Sequence, residues 1–489
     1  MRKSGILLHP TSLPGEWGIG DLGHWAYRFA DFLAESGQQL WQILPLGLPG
    51  VGNSPYQAYS SIAGNPLLIS LQKLVDEGWL SPEDLKNAPL FHDSAVDYDT
   101  VLPFKRMLLG KAAAAFSRRE SGPLREEFLR FCRDEDPWLN PFAEFAALKR
   151  ANAGAAWTDW NPKIRADAGD VFEHKFLQFE FFRQWKVLKK YCRDQGIEIV
   201  GDIPIFVAHD SADVWANPGL FDLDSDGNPR VVAGVPPDYF SKTGQRWGNP
   251  LYRWDEMERT GYRWWIDRLK SMLETVDIMR LDHFRGFEKY YEIPAGCKTA
   301  EEGRWVKGPG DRFFRALQGA LGKLPFIAED LGFITPEVYA LRDRWELPGM
   351  RILQFAFENE SPDNPNKPYN FIRNCVVYTG THDNDTTRGW FSAKGLSVED
   401  RAERERALEY MGSDLKDAVW GFIRLALASP ADMAILPMQD VLDLGSEARM
   451  NTPSTTGRNW RWRMREDQLQ PGLSSRLRGL NRLYGRLPA

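Results

Sequence analysis

The segments VDIMRLDHF (residues 276–284) and LPFIAEDLG (residues 324–332) are short, nearly unbroken apolar runs that close on acidic residues. Runs of this kind, without the alternation of a half-solvated strand, belong to parallel sheets covered on both faces. In the first run Arg280 and Asp282 are two residues apart, which directs both side chains to the same side of the strand. In the second, apolar residues lead directly into Glu329.

Six further runs of the same character occur along the chain: GILLHPTSL from Gly5, LWQILPLG from Leu40, IEIVGDIPIF from Ile197, MRILQFAF from Met350, CVVYTGTHDN from Cys375 and MAILPMQDVL from Met433. Most are followed by helical periodicity. Eight such strands alternating with helices predict an α/β protein built as a (β/α)8 TIM barrel, with an open doubly wound sheet as the other arrangement. The barrel is favoured because Asp202, Asp282, Glu329 and Asp383 all fall at the trailing ends of strands, the rim where barrels carry their active sites. Ser81-Pro82 and Thr335-Pro336 each place a capping hydroxyl before a proline suited to a first helical turn. Residues 1–489 are read as one catalytic barrel with two insertions. Residues 70–169, including KRMLLGKAAAAFSRRE and PLREEFLRFCRD, are expected to form a helical insertion after the second strand. Residues 208–254, rich in Pro, Gly and aromatics, are expected to fold over the rim as loops after the third. Little chain follows the eighth strand, so no C-terminal β-sandwich is expected.

Composition narrows the function. With 43% hydrophobic and 26% charged residues the chain has the balance of a globular protein, and a net charge of −6 provides no cationic surplus for nucleic acid or anionic membranes. Four scattered cysteines show no CxxC pair, and the basic N-terminus runs into proline and tryptophan before a signal-peptide core could form, so a cytoplasmic protein is expected. No defined dimer patch emerges; a monomer or weak homo-oligomer is the expectation. The 19 tryptophans suit either core packing or the flat faces of pyranose rings, and composition does not separate the two.

The candidate chemistry is an unlike pair of carboxylates. Arg280 beside Asp282 keeps that carboxylate ionised, suited to act as a nucleophile or to stabilise an oxocarbenium ion; an ion pair locking the barrel layers is the other reading. Apolar neighbours hinder ionisation of Glu329 and so make a general acid. Glycoside chemistry needs this combination. His382 and Asp383, in TGTHDNDTTRGW, are placed to hydrogen-bond sugar hydroxyls, with metal ligation the less favoured alternative. Asp202 fits either a site residue or a cap for the turn that follows its strand. FDLDSDGNP opens like a calcium loop, but its twelfth position is Ala233, so Asp226-Gly227 is read as a hairpin turn. No metal and no cofactor are expected.

Together the segments HPTSLPGEWGIGDLG, LPLGLPGVGNSPYQ, GDIPIFVAHDSADVW, GVPPDYFSKTGQRWGNPLYRW, RLDHFRGF, AEDLG, THDNDT and MNTPSTTGRNWRWR resemble the amylomaltases, or 4-α-glucanotransferases, glycoside hydrolase family 77 of the α-amylase-like clan. The PPDYFSKTGQRWGNP and SPYQ segments point to this family within the clan. The resemblance implies that Asp282 is the nucleophile, Glu329 the acid/base and Asp383 the third carboxylate, which strains the donor sugar. It implies that Arg280 partners the nucleophile, that His382 and Asp202 bind donor glucose, and that Tyr56 offers that glucose an aromatic face. Tyr239, Phe240, Gln245 and Trp247 would lie in a loop arching over the cleft, and Asn451 would serve the acceptor side. The implied reaction passes part of an α-1,4-glucan donor to the 4-hydroxyl of a glucose or maltodextrin acceptor. An α-glucan hydrolase and a non-catalytic glycan-binding barrel are the competing readings.

Overall fold

The computed structural model describes residues 2–237, 241–455 and 457–488. Its strands are β1 (Lys3–Leu7), β2 (Leu40–Gln42), β3 (Glu198–Pro204), β4 (Val231–Val235), β5 (Gln245–Pro250), β6 (Ile278–Asp282), β7 (Lys289–Pro294), β8 (Arg304–Lys307), β9 (Phe326–Ala328), β10 (Gly349–Ile352), β11 (Cys375–Tyr378) and β12 (Met433–Pro437). Eight of them, in the order β1-β2-β3-β6-β9-β10-β11-β12, form a closed barrel whose strand pairs are all parallel. These are the eight runs read from the sequence. Closure is made by β1 against β12, with Lys3 opposite Met433 and Leu7 opposite Pro437. Gly5 allows β1 to approach β2: a Cβ at that position would lie 2.4 Å from the Leu40 carbonyl oxygen.

Alternate residues of each barrel strand serve two different cores. Leu7, Leu40, Val200, Ile327, Val376 and Ile435 belong to one small apolar cluster, and only the barrel interior can bring those strands together. Their neighbours Ile6, Trp41, Ile199, Ala328, Val377 and Ala434 pack outward into the large core shared with the helices. This period of two explains the apolar continuity of the strands and also positions the site. Asp202 is two residues beyond Val200, Arg280 and Asp282 two and four beyond Ile278, and Glu329 two beyond Ile327, so all four belong to the inward set.

Between β2 and β3 the chain is helical at Leu71–Asp76, Pro82–Leu85, Tyr98–Ser117, Pro123–Asp134, Asp136–Ala151 and Ala168–Asp194. Ser81 and Asp84 form a reciprocal capping box at the second of these. The 27-residue helix Ala168–Asp194 joins this layer to the barrel. Phe176 stacks on Phe116 at 4.8 Å, while Trp185 donates its indole N–H to the Thr275 carbonyl at 2.8 Å.

The 208–254 segment is not only loop. It contains the helix Ala212–Ala216 and contributes β4 and β5 to an antiparallel sheet, ordered β5-β4-β7-β8, whose other two strands follow β6. These strands do not read as such in the sequence because VVAGV and QRWGNP carry Gly, Asn and Pro, and because β4 takes its second partner, β7, from beyond β6, with Val231 opposite Pro294. Within the segment, Asp224–Asn228 closes as a tight turn, with Asp224 N–H to the Asn228 carbonyl at 2.8 Å and Gly227 at φ 84°. The four cysteines are all free. Among the described residues no helix is long and apolar enough to cross a membrane.

Candidate active site

Strand register sets the floor of the site. Asp202 on β3 lies opposite Arg280 on β6, and Pro204 lies opposite Asp282. Arg280 Nη1 contacts both Asp202 oxygens, at 2.8 and 2.7 Å, and Nη2 reaches Asp282 Oδ1 at 2.9 Å. Burial alone would lower the pKa of Arg280, but the Asp202 and Asp282 carboxylates outweigh it and raise it, so the guanidinium is charged at all working pH. The three groups differ in access. The Asp202 side chain is fully buried, whereas that of Asp282 is 28% exposed. Asp202 therefore lies beneath the cleft, with both oxygens engaged by Arg280 and by the Tyr56 hydroxyl, which donates to Oδ2 at 2.8 Å.

Glu329 is next to Asp282 across the β6–β9 pair. Its Oε2 accepts the His283 N–H at 2.8 Å and its Oε1 accepts the Leu331 N–H at 3.0 Å. An edge of the side chain reaches the surface, but protein encloses the carboxyl group, and this burial pushes its pKa up to about 8. Arg280 and the two N–H groups oppose the rise while Asp282 adds to it. Two neighbouring carboxyl groups thus have contrasting surroundings: one lies against a guanidinium and the other is desolvated.

The loop after β11 supplies the opposite wall. His382 is buried and stacks on Tyr56 with ring centroids 5.2 Å apart and planes at 20°; Trp460 is 5.9 Å from each ring. Tyr56 occupies the short 3-10 turn Pro55–Gln57, capped by Ser54. Asp383 is the most open carboxylate, with 45% of its side chain exposed. Asn451 donates to Asp383 Oδ1 at 2.6 Å, and Arg449 bridges the Asp383 and Asn451 carbonyls at 2.6 and 2.7 Å. Asn451 is thus fastened to the third carboxylate.

Gln245 and Trp247 lie on β5, joined by an indole N–H to Gln245 Oε1 bond of 3.2 Å, and Trp247 meets the ring of His283 edge-on at 4.8 Å. Ala300 N–H to the Thr243 carbonyl ties the end of the β4–β5 connection to the second sheet. Tyr239 and Phe240 lie outside the described residues. All the other residues singled out above gather at one rim of the barrel. Sequence reasoning missed the main-chain donors at His283 and Leu331, because a backbone N–H leaves no sequence signal. It also missed Arg449, and it assigned no role to Trp460 although the tryptophan lies in a quoted motif. Among the described residues no cluster of three His, Cys, Asp or Glu side chains is arranged to hold a metal ion.

The profile of glycoside hydrolase family 77, described as 4-alpha-glucanotransferase, matches residues 8–469. This chain belongs to that family. The 4-α-glucanotransferase of Synechocystis sp. is 50% identical over 99% of this chain and 98% of its own length, and that of Thermus thermophilus is 48% identical over 99% of both. Among solved structures, the amylomaltase from Streptococcus agalactiae in complex with acarbose superposes with a TM-score of 0.94 at 38% identity, covering 100% of both chains. As a 4-α-glucanotransferase, the chain transfers glucan segments from one glucan to another.

Proposed function

We propose that the transfer proceeds by retaining double displacement, with Asp282 as nucleophile and Glu329 as acid/base. The observation that carries this reading is the contrast between the two groups: Asp282 is 2.9 Å from the Arg280 guanidinium, while Glu329 is desolvated and holds its proton up to about pH 8. Glu329 gives its proton to the glycosidic oxygen as an Asp282 oxygen bonds to the sugar C1 and the C1–O bond breaks. The reducing-side fragment leaves with a new 4-hydroxyl. An acceptor glucan or glucose then presents its own 4-hydroxyl, whose proton passes to the Glu329 carboxylate. The acceptor oxygen bonds to C1, the ester to Asp282 breaks, and an α-1,4 linkage is restored.

Asp383, held through Asn451, grips and strains the donor glucose, and the Tyr56–His382 pair forms the wall against which that glucose rests. Asp202 contributes from below by fixing Arg280 and the Tyr56 hydroxyl. Gln245 and Trp247 on β5 shield the intermediate from water and present surface to the acceptor. The free cysteines suit a reducing compartment such as the cytoplasm. Incubation with maltotriose tests the reading. A ladder of longer and shorter maltodextrins at constant reducing-end concentration is expected, and Asp282→Ala abolishes it; shorter sugars alone with rising reducing ends would mean hydrolysis.

A further inference from the structure

His283 has left-handed backbone geometry, with φ 52° and ψ 50°, directly after Asp282. The β6–β9 ladder runs as far as the bond from the Glu329 N–H to the Leu281 carbonyl, 3.1 Å. The chain then turns, and two consecutive amides converge on one residue: the His283 N–H donates to Glu329 Oε2 at 2.8 Å and the Phe284 N–H to the Glu329 carbonyl at 3.1 Å. Consecutive N–H groups of an extended strand point to opposite sides; they converge only where the backbone enters a left-handed or helical turn. Here the left-handed residue is followed by the 3-10 turn Phe284–Phe287, and the Gly286 N–H closes on the His283 carbonyl at 2.9 Å. The ring is packed in place by the edge contact with Trp247, and its Nε2 is buried with no partner among the described residues.

We propose that His283 is a positioning residue for Glu329, whose left-handed backbone turns an amide onto the carboxyl that gives and takes the proton. The inference rests on the acid/base reading of Glu329. A histidine tolerates φ > 0 better than most side chains, asparagine and glycine better still, and a β-branched residue is disfavoured there. The charged groups facing Glu329 are Arg280 and Asp282, both on β6, so the His283 N–H is a contact whose loss leaves those charges in place.

The test compares pH profiles of kcat/KM for His283→Asn, His283→Gly and His283→Val, with folding checked by circular dichroism. Asn and Gly keep the basic limb at the wild-type pH. Val, which strains the turn and withdraws a hydrogen bond from the charged carboxylate, moves the limb up by about one pH unit and lowers kcat more than KM changes. If Val does not fold, His283→Ala carries the same penalty at φ > 0 in milder form and is read instead. A limb that stays fixed in the folded Val or Ala variant overturns the proposal, as does an equal shift in all variants, which would assign the effect to the ring. Glu329→Gln is run in parallel. If it retains turnover, the acid/base reading itself fails; if it is inactive while the His283 variants share one limb, only the positioning role fails.

Discussion

Replacing Glu329 with Gln separates the catalytic value of that carboxyl from its cost to the fold. In the folded chain Glu329 keeps its proton up to about pH 8, whereas an unfolded glutamate releases it near 4.5. Between these values the folded state binds more protons than the unfolded state, so the residue's contribution to stability declines as pH rises through this window. At about 1.4 kcal/mol per pH unit, the loss by pH 9 is roughly 3–5 kcal/mol. Gln cannot ionise, but its amide offers one acceptor oxygen where two N–H groups, from His283 and Leu331, now find one each. One unpaired amide costs about 1–3 kcal/mol at every pH. The variant is therefore less stable than the wild type at pH 5 and more stable at pH 9. A chain of 489 residues unfolds with an entropy of about 1 kcal/mol per kelvin, so the difference in Tm between the two proteins swings by about 3–5 °C across that range. Scanning calorimetry at pH 5, 7 and 9 measures it. A constant Tm difference would refute the argument, because it would mean that Glu329 is ionised in the folded protein throughout.

Arg280→Met leaves Asp202 buried without its cation and Asp282 without its partner; a loss of about 3–5 kcal/mol in denaturant melts is expected together with loss of transfer. Asn451→Ala frees the Asp383 oxygen and lowers kcat by about ten- to a hundredfold with unchanged melting, read from steady-state maltotriose kinetics. In the wild type, kcat/KM declines above about pH 8 as Glu329 loses its proton before meeting a donor, and a profile flat to pH 10 would contradict that.

The barrel was legible because its strands are buried on both faces and close on charged residues, a pattern that survives in short runs such as FIAED and MRLD. The neighbourhood of Asp282 and Arg280 followed from a spacing of two. The antiparallel sheet was not legible: KYYEIP and RWVK are short and half polar, and KYYEIP takes one of its partners from far upstream, with Pro294 opposite Val231, so their stability comes from partners and not from local propensity. The contact of Asp202 with Arg280 was not legible either, because it comes from the β3–β6 register, which pairs residues 78 positions apart. A left-handed turn at His283 had no sequence signal either, since a glycine there would have announced it and a histidine does not.

The pairing of β1 with β12 has a consequence for how the protein is made. Lys3–Leu7 is made before the other seven barrel strands, whereas one of its two neighbours, Met433–Pro437, is made after all of them. At about 5–20 residues per second, the first strand waits some tens of seconds with one edge unsatisfied. During that time β1 pairs with β2, and the closed ring that holds Asp202, Asp282 and Glu329 does not yet exist. The β1–β12 seam is the longest-range pairing in the barrel, and its closure has to wait for the last of the eight strands.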